Sequence, residues 1–365
     1  MSDSSPQTGR NELRVVISAA TFVPGGMGGS ETYARALVDE LSRRASLDLR
    51  LVVPESVDDL APNVQRRVFS TQPRQDALHR IRNVAALGVT ARFRHLFREA
   101  SVVHYPFTVP VPRPVGTPWV TSLLDVQHLD LPGMFTRPER AYRSVLYDNA
   151  ARRADAVVTI SEHAKGRMVE ALGLDPETVH VAYLGVDTDR FVPNSGPRDD
   201  FVYYPARGWP HKNHGTLVEA MALVRSEVPL RLVLTGGALD TLGSLPDWVD
   251  VRGLVSSAEV ADLYRRAACL AFPSLYEGFG LPPLEAMAAG CPVAVSDIPV
   301  IAEVCGPEAV LFDARDPESI ADAILRALKT YPRNRASGLN WVSRYTWGRC
   351  ADVHVGAYLQ AADRR

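Results

Sequence analysis

The segment from Leu270 to Glu285 reads LAFPSLYEGFGLPPLE. Its apolar start is typical of a buried strand, and its glycines indicate a loop. Pro283 suits the first turn of a helix, where a missing N–H costs nothing, and Gly290 should end that helix. The pattern therefore predicts a strand, a glycine loop and a helix over residues 283–289.

The loop and the start of the helix predict a phosphate site. Backbone N–H groups at a helix N-terminus attract anions, and the small residues Gly278 and Gly280 let a ligand approach them. Glu277 should lie in the loop, where a sugar on that phosphate would sit. Glu285, one helical turn in, is placed to accept hydrogen bonds from a diol such as a ribose. The alternative for both carboxylates is a simple helix start, because the helix dipole favours acidic residues there.

The same stretch resembles the signature of glycosyltransferase family 4. The members of this family are retaining nucleotide-sugar glycosyltransferases with the GT-B fold. The likeness rests on Glu277 and Glu285 with seven residues between them, and on the Glu-Gly-Phe-Gly-Leu-Pro run that begins at Glu277. The resemblance implies that Glu277 is catalytic and that no metal or other cofactor is needed. The donor-binding residues that it implies in this stretch are Gly278, Phe279, Gly280, Leu281 and Glu285.

Composition sets the broad class of the protein. The chain has 365 residues, enough for two domains that each bury a proper core. Its formal charge of -2, with 46% hydrophobic and 22% charged residues, argues against nucleic acid as the default partner. The four cysteines, which lack a Cys-x-x-Cys pair and lie in apolar contexts, are predicted to be reduced core thiols, with no zinc site.

The chain's N-terminal residues predict its location. They are polar, and no run reaches the roughly 18 to 20 apolar residues of a membrane span. We therefore expect a cytoplasmic protein without signal peptide or transmembrane helix.

An N-terminal glycine loop follows the first predicted strand, Leu13 to Ala20, and precedes a helix that Ser30 should cap. A dinucleotide site is one interpretation, but the third glycine of that fingerprint is replaced by Glu31. A flexible turn is another. The family resemblance instead implies that this loop, with Gly28 and Gly29, lies against a cleft between domains and helps to hold the phosphates of the donor.

Residues 124–132 follow a buried strand predicted from Trp119 to Leu123, at the end of a strand where open α/β sheets bind ligands. Family 4 commonly has His-Asp here, and the histidine contacts the donor sugar. This chain has Leu124 in place of that histidine. We predict that Asp125 or His128 makes the sugar contact instead, while the alternative for His128 is a local structural bond.

Arg207 and Lys212 lie in a predicted loop between the strand Phe201 to Tyr204 and the next helix. Taken alone they would be surface charges. Beside the glycine loop they resemble the family's phosphate clamp, which stabilises the charge of a leaving pyrophosphate. We therefore count both as catalytic residues.

The segment between Gln65 and Arg98 carries eight arginines and one acid, Asp76, with apolar residues interleaved. An ordinary helix packed on a core is one interpretation. The other is peripheral contact with anionic lipid at the inner face of the membrane.

Alternating strands and helices predict an α/β protein with two doubly wound, Rossmann-like domains across a cleft. We expect an N-terminal acceptor-side domain over residues 1–192, a donor-binding domain over 193–345, and a terminal helix over 346–365 that crosses back. The family resemblance implies retaining transfer of a hexose, mannose- or rhamnose-like, from a nucleoside diphosphate sugar to a hydroxyl acceptor, either a glycan or lipid-linked. A degenerate sugar-nucleotide binding protein and an NAD-dependent oxidoreductase are the rival functions.

Overall fold

The structure is a computed structural model. It describes residues 12–25, 27–70, 86, 90–193, 196–330 and 335–364. Two parallel β-sheets form its centre, one of seven strands and one of six. We call the first sheet with the helices on it the N-terminal unit, and the second sheet with its helices the C-terminal unit.

The first sheet has the strand order β3-β2-β1-β4-β5-β6-β7, and all neighbouring strands are parallel. Every residue of β4, β5 and β6 is buried, as expected for strands covered on both faces. The strands β1 to β7 are Leu13–Ser18, Leu47–Pro54, Gln65–Phe69, Val102–Tyr105, Trp119–Ser122, Ala156–Thr159 and Val179–Val181.

The second sheet has the order β10-β9-β8-β11-β12-β13 and is also parallel throughout. The chain first builds outward from β8 and then crosses to β11 on its other side. Loops beside such a crossing are where open α/β sheets bind ligands. The strands β8 to β13 are Asp199–Pro205, Arg231–Thr235, Val249–Gly253, Ala267–Phe272, Val293–Ser296 and Val310–Phe312.

Helices surround both sheets. A π-helical turn, Ser144–Asp148, joins α4 to α5. The α-helices with described bounds, α1 to α13, are Gly29–Ser42, Ala91–Arg94, Gln127–Asp130, Arg137–Arg143, Asn149–Arg153, Glu162–Leu172, His214–Glu227, Ser257–Arg266, Leu281–Ala288, Pro299–Cys305, Pro317–Thr330, Arg335–Val342 and Trp347–Asp363.

Helix starts agree with the sequence where a hydroxyl caps the helix. Ser161 Oγ accepts from the Ala164 N–H at 3.0 Å, as predicted for the start of α6. Two other predicted starts are wrong. The N-cap of α1 is Gly28 and not Ser30, and α9 begins at Leu281, two residues before the expected Pro283. Glycine takes both cap positions because the backbone there has a positive φ, which costs glycine little.

The C-terminal helix α13 packs on the first sheet through buried polar side chains. Tyr33 Oη lies 2.6 Å from Ser122 Oγ and 2.7 Å from His354 Nε2. Tyr358 Oη lies 2.8 Å from His104 Nδ1, and all these residues are fully buried. Burial lowers the pKa of His354 to about 4, so its ring is neutral near pH 7. The last helix is thus held on the N-terminal unit by matched hydrogen bonds.

Part of the Arg-rich segment lies outside the described residues, including 71–85 and 87–89. Arg66 donates to the carbonyl of Asp58 at 2.9 Å, and Arg67 donates to the carbonyls of Leu96 and Arg98. These two arginines therefore fasten local chain segments, while the predicted lipid contact stays a prediction. Among the described residues, no helix is both long and apolar enough to cross a membrane.

The four cysteines are free and buried, which confirms the prediction of core thiols.

Candidate functional site

Lys212 and Glu277 meet at the carboxyl edge of the second sheet. Lys212 ends a short 3-10 turn after β8, and Glu277 lies in the loop after β11. Lys212 Nζ is 2.6 Å from Glu277 Oε1, and the two side chains are only 15% and 14% exposed. The structure therefore brings the predicted cation and the predicted catalytic carboxylate into one partly buried ion pair.

Arg207 reaches the glycine loop of the N-terminal unit. A Cβ added at Gly28 would lie 3.7 Å from Arg207 Nε, so the guanidinium borders the cap of α1. The guanidinium carbon of Arg207, Cζ, also lies 5.4 Å from the centre of the Trp209 ring. The predicted groups Gly28, Gly29 and Arg207 are thus neighbours across the junction of the two units, although they are far apart in sequence.

The start of α9 offers few backbone donors to an anion. Gly280 caps the helix at φ 106°, and Leu281 is the first helical residue, whose N–H has no partner within the helix. The next two residues, Pro282 and Pro283, have no N–H. Phe279 is different, because its side chain is 3% exposed and packs beside Tyr183, at 6.2 Å between ring centres. The predicted donor contact of Phe279 is therefore limited to its backbone.

Glu285 lies within α9 and accepts a hydrogen bond from Tyr264 Oη at 3.0 Å. Burial raises the pKa of Glu285 to about 7, and the bond from Tyr264 opposes this shift. A carboxyl group with this pKa is partly protonated at neutral pH. Hydroxyl groups that donate to it would favour its ionised form, which suits the predicted ribose contact.

His128 and Asp125 differ in their surroundings. His128 is 2% exposed, and its Nε2 lies 2.9 Å from Asp148 Oδ1 inside the N-terminal unit. Asp148 thus occupies Nε2, while the buried Nδ1 has no hydrogen-bond partner among the described residues, so the sugar contact of His128 stays a prediction. Asp125 remains partly exposed, and its Oδ1 accepts from the Gln127 N–H at 3.0 Å.

Gly278 lies against the loop that carries Asp125. A Cβ on Gly278 would lie 3.0 Å from the carbonyl oxygen of Leu124 and 3.4 Å from Asp125 Cβ. Asp125 is therefore the member of the predicted pair that borders the glycine loop. Leu124, which is partly buried, packs on the core.

Several contacts between the units escaped sequence reasoning. Ser161 Oγ donates to the Gly278 carbonyl at 3.0 Å, and Tyr276 Oη donates to Asp130 Oδ2 at 3.1 Å. Glu303 accepts from the N–H groups of Glu162 and His163 at the start of α6, at 2.8 and 2.9 Å. Only Ser161 had a local signal, as a helix cap. The other partners are more than 100 positions apart, so no short motif joins them.

Acidic, histidine and cysteine side chains do not gather into a metal site within the described ranges: no group of three or more has suitable geometry.

The two parallel sheets and the loops between them define the class of the protein, the GT-B fold, as predicted. Sucrose-phosphate synthase from Thermosynechococcus elongatus superposes with a TM-score of 0.76 at 18% identity, covering 97% of this chain and 100% of that one. HepE from Anabaena, solved with UDP-glucose, gives 0.70 at 18% identity, covering 96% and 98%. At these identities the likeness concerns the fold.

Two family models match in succession. The model described as Glycosyltransferase Family 4 matches residues 27–190, and the model described as Glycosyl transferases group 1 matches residues 200–330. The chain belongs to glycosyltransferase family 4, as its glycine loop predicted.

Curated relatives agree with this assignment over part of their length. The O-antigen chain mannosyltransferase RfbU of Salmonella typhimurium is 30% identical over 230 residues, which are 60% of this chain and 64% of that protein. The MMP alpha-(1->4)-mannosyltransferase of Mycolicibacterium hassiacum is 32% identical, over 59% of this chain and 56% of that one. The matched region thus spans less than two thirds of both relatives.

Proposed function

We propose that this protein is a retaining hexosyltransferase that moves a hexose from a nucleoside diphosphate sugar to a hydroxyl acceptor in glycan, polysaccharide or glycolipid synthesis. The observation that carries the proposal is the Lys212–Glu277 ion pair beside the start of α9. The names of the two mannosyltransferase relatives support a mannose-like sugar, and the HepE complex supports a nucleotide-sugar donor.

The donor binds mainly to the C-terminal unit in this proposal. The diphosphate lies at the N-terminus of α9, where Gly280 and Leu281 present backbone N–H groups. The ribose hydroxyls donate to Glu285. Arg207 and Lys212 contact the phosphates from the β8 loop, and Gly28 and Gly29 close over the phosphates from the N-terminal unit.

The same proposal divides the chain into an acceptor-side domain over residues 1–192 and a donor-binding domain over residues 193–345. Residues 346–365 then cross back to the acceptor-side domain.

The transfer step breaks the bond between the anomeric carbon and the phosphate oxygen, and the leaving diphosphate keeps the electron pair. The acceptor oxygen attacks the same face of the sugar, which retains the configuration, and its proton passes to the departing phosphate oxygen. Arg207 and Lys212 stabilise the charge that develops on that phosphate. Glu277 and Asp125 hold the sugar from opposite units.

A donor screen tests this function. The protein is incubated with UDP-, GDP- and TDP-hexoses and simple glycoside acceptors, and products are detected by mass spectrometry. We expect thermal stabilisation by one nucleoside diphosphate and turnover of its sugar. Stabilisation without turnover would favour the sugar-nucleotide binding protein, for which Leu124 in place of the usual histidine is the one supporting observation.

Peripheral contact with the inner face of the membrane through residues 65–98 is also proposed, on the strength of the eight arginines there. Sedimentation with vesicles of anionic and of neutral lipid tests it. Binding that requires anionic lipid and weakens with salt is the expected result.

A further inference from the structure

Both chain neighbours of Glu277 contact the N-terminal unit. Tyr276 Oη donates to Asp130 Oδ2 at 3.1 Å. On the other side, Gly278 receives a hydrogen bond from Ser161, and a Cβ added to Gly278 would make a tight contact of 3.0 Å with the Leu124 carbonyl oxygen. The peptide segment that carries Glu277 therefore belongs to the C-terminal unit, but it contacts the N-terminal unit on both sides of Glu277.

The hydroxyl of Tyr276 acts as a hydrogen-bond donor to Asp130. Burial and the nearby carboxylates of Asp125 and Asp130 raise the pKa of Tyr276 well above its usual value. The phenol therefore stays protonated at physiological pH and donates its hydrogen to the Asp130 carboxylate.

Asp130 is itself held in place. Its Oδ1 accepts from Arg167 Nη2 at 2.6 Å and from Arg167 Nε at 2.9 Å, while Oδ2 remains for Tyr276. The Asp130 side chain is only 13% exposed. Arg167 belongs to α6. Tyr276 thus bonds to a fixed carboxylate and not to a mobile surface group.

Within the C-terminal unit, two hydrogen bonds hold the segment before Glu277. Leu275 N–H donates to the His211 carbonyl at 2.8 Å, and Ser274 Oγ donates to the Tyr276 carbonyl at 3.1 Å. The ion pair with Lys212 joins two side chains, so it restrains the Glu277 backbone only indirectly.

We infer that Tyr276 and Asp130 are positioning residues, which set the Glu277 carboxylate for sugar transfer through the contact between the two units. The inference rests on the proposed function, because it assigns this role within the transferase site. A displacement of about 1 Å in a catalytic group can cost on the order of a hundredfold in rate. Nucleotide binding should depend little on this contact, because most of its proposed groups lie on the C-terminal unit and because Gly28 and Gly29 take no part in the Tyr276–Asp130 bond.

The test uses Tyr276→Phe, Asp130→Ala and the double variant in the full chain. With the donor found by the screen, each single variant should lower kcat about 10- to 30-fold. The double variant should fall no further than Asp130→Ala, because Tyr276→Phe then removes only a bond that Asp130→Ala has already broken. The Kd for UDP or GDP should stay within about twofold. Two results would contradict the inference. One is a fall in kcat in the double variant that equals the product of the two single falls, and the other is a near-normal kcat in Tyr276→Phe.

Glu303→Ala is the matched control. It removes two hydrogen bonds between the same units but touches neither neighbour of Glu277. We expect a lower Tm with kcat within about threefold of the parent. An equal fall in kcat would mean that loosened docking in general, and not the position of Glu277, explains the Tyr276 result, and the inference would then be rejected.

Hydrogen exchange provides a measurement that needs no donor. Amides of the segment 273–286 should exchange faster in Tyr276→Phe and Asp130→Ala than in the parent, and at the parental rate in Glu303→Ala. Unchanged exchange in the first two variants overturns the inference. If the donor screen finds no turnover, the proposed function fails by itself, and the exchange rates still decide whether Tyr276 and Asp130 hold this segment.

Discussion

Lys212 Nζ lies 2.6 Å from Glu277 Oε1, so the lysine of the candidate donor site already has an anionic partner in the described structure. An incoming phosphate therefore shares Lys212 with Glu277 and does not meet an isolated cation. Arg207 supplies the second positive charge, at the border of the N-terminal glycine loop. Two cationic side chains and one carboxylate therefore leave one net positive charge for the incoming diphosphate.

Removal of either cation should slow the reaction. Lys212→Ala and Arg207→Ala are each expected to lower kcat on the order of thirty- to hundredfold, about 2 to 3 kcal/mol of transition-state stabilisation. Steady-state kinetics at saturating donor measure the effect. Arg326→Ala, which removes an exposed cation paired with Asp322 on α11, is the control and should leave the rate unchanged. Normal rates in both site variants would exclude the phosphate clamp.

Glu285 should make stability depend on pH. Its pKa is about 7 in the folded chain and 4.5 ordinarily, so between these values the folded state keeps a proton that the unfolded state loses. The free energy of unfolding therefore falls as pH rises from about 4.5 to 7, and the loss is complete above 7.

Glu285→Gln keeps an acceptor for Tyr264 and does not titrate. Relative to the parent it should gain about 2 to 3 kcal/mol between pH 5 and pH 8, measured by urea denaturation. A difference between parent and variant that does not change with pH would show that Glu285 is ionised throughout this range.

Arg198 joins the ends of two helices. Its Nη1 donates to the carbonyls of Tyr264, Arg265 and Ala267 at 2.9 to 3.1 Å, and its Nη2 donates to those of Ala289 and Gly290. Carbonyl groups at helix C-termini carry partial negative charge and lack helical partners. Arg198→Ala should lower the free energy of unfolding by about 2 to 4 kcal/mol in urea titrations.

The lysine variant distinguishes charge from geometry. Arg198→Lys keeps the charge but offers only one nitrogen, so it should recover less than half of the loss. Full recovery would indicate that charge alone matters.

Gly208 allows the loop that carries Arg207 to pack on its neighbour. A Cβ at Gly208 would lie 2.0 Å from the backbone carbonyl oxygen of Ala238, and the Gly208 N–H donates to the Gly237 carbonyl at 3.0 Å. Gly208→Ala should therefore cost about 2 kcal/mol or more of stability, because backbone must move. Differential scanning calorimetry or urea titration measures the change.

Gly356 provides the matched glycine. It lies in α13, is exposed, and has nothing within 4 Å of an added Cβ. Gly356→Ala should raise stability by up to about 1 kcal/mol through helix propensity. The prediction fails if Gly208→Ala and Gly356→Ala change the free energy of unfolding in the same direction.

The sequence predicted the strands and the loops that follow them, because apolar runs and glycines are local signals. The family resemblance joined Arg207 and Lys212 to the site of Glu277, and their place after a strand of the same parallel sheet agreed with it. The family was predicted from the Glu-Gly-Phe-Gly-Leu-Pro run at Glu277, whereas no strand order was predicted.

Side-chain directions in the loops were harder to predict. His128 was expected near the sugar, but its ring faces Asp148, which lies 20 positions later on a π-helical turn that has no sequence signal. The start of α9 was placed too late because a glycine cap depends on a positive φ and not on a hydroxyl. The Tyr276–Asp130 bond spans 146 positions and follows only from how the units dock.

The hydrogen bonds of His354 and Tyr358 within the N-terminal unit bear on the order in which the chain is made. A ribosome completes all strands of the first sheet, and then the whole second sheet, before α13 emerges. Until then the hydroxyl of Tyr33 lacks its partner His354, the ring of His104 lacks its partner Tyr358, and the surface that carries both is open to water. The N-terminal unit, although synthesised first, is therefore the last to acquire its finished interior.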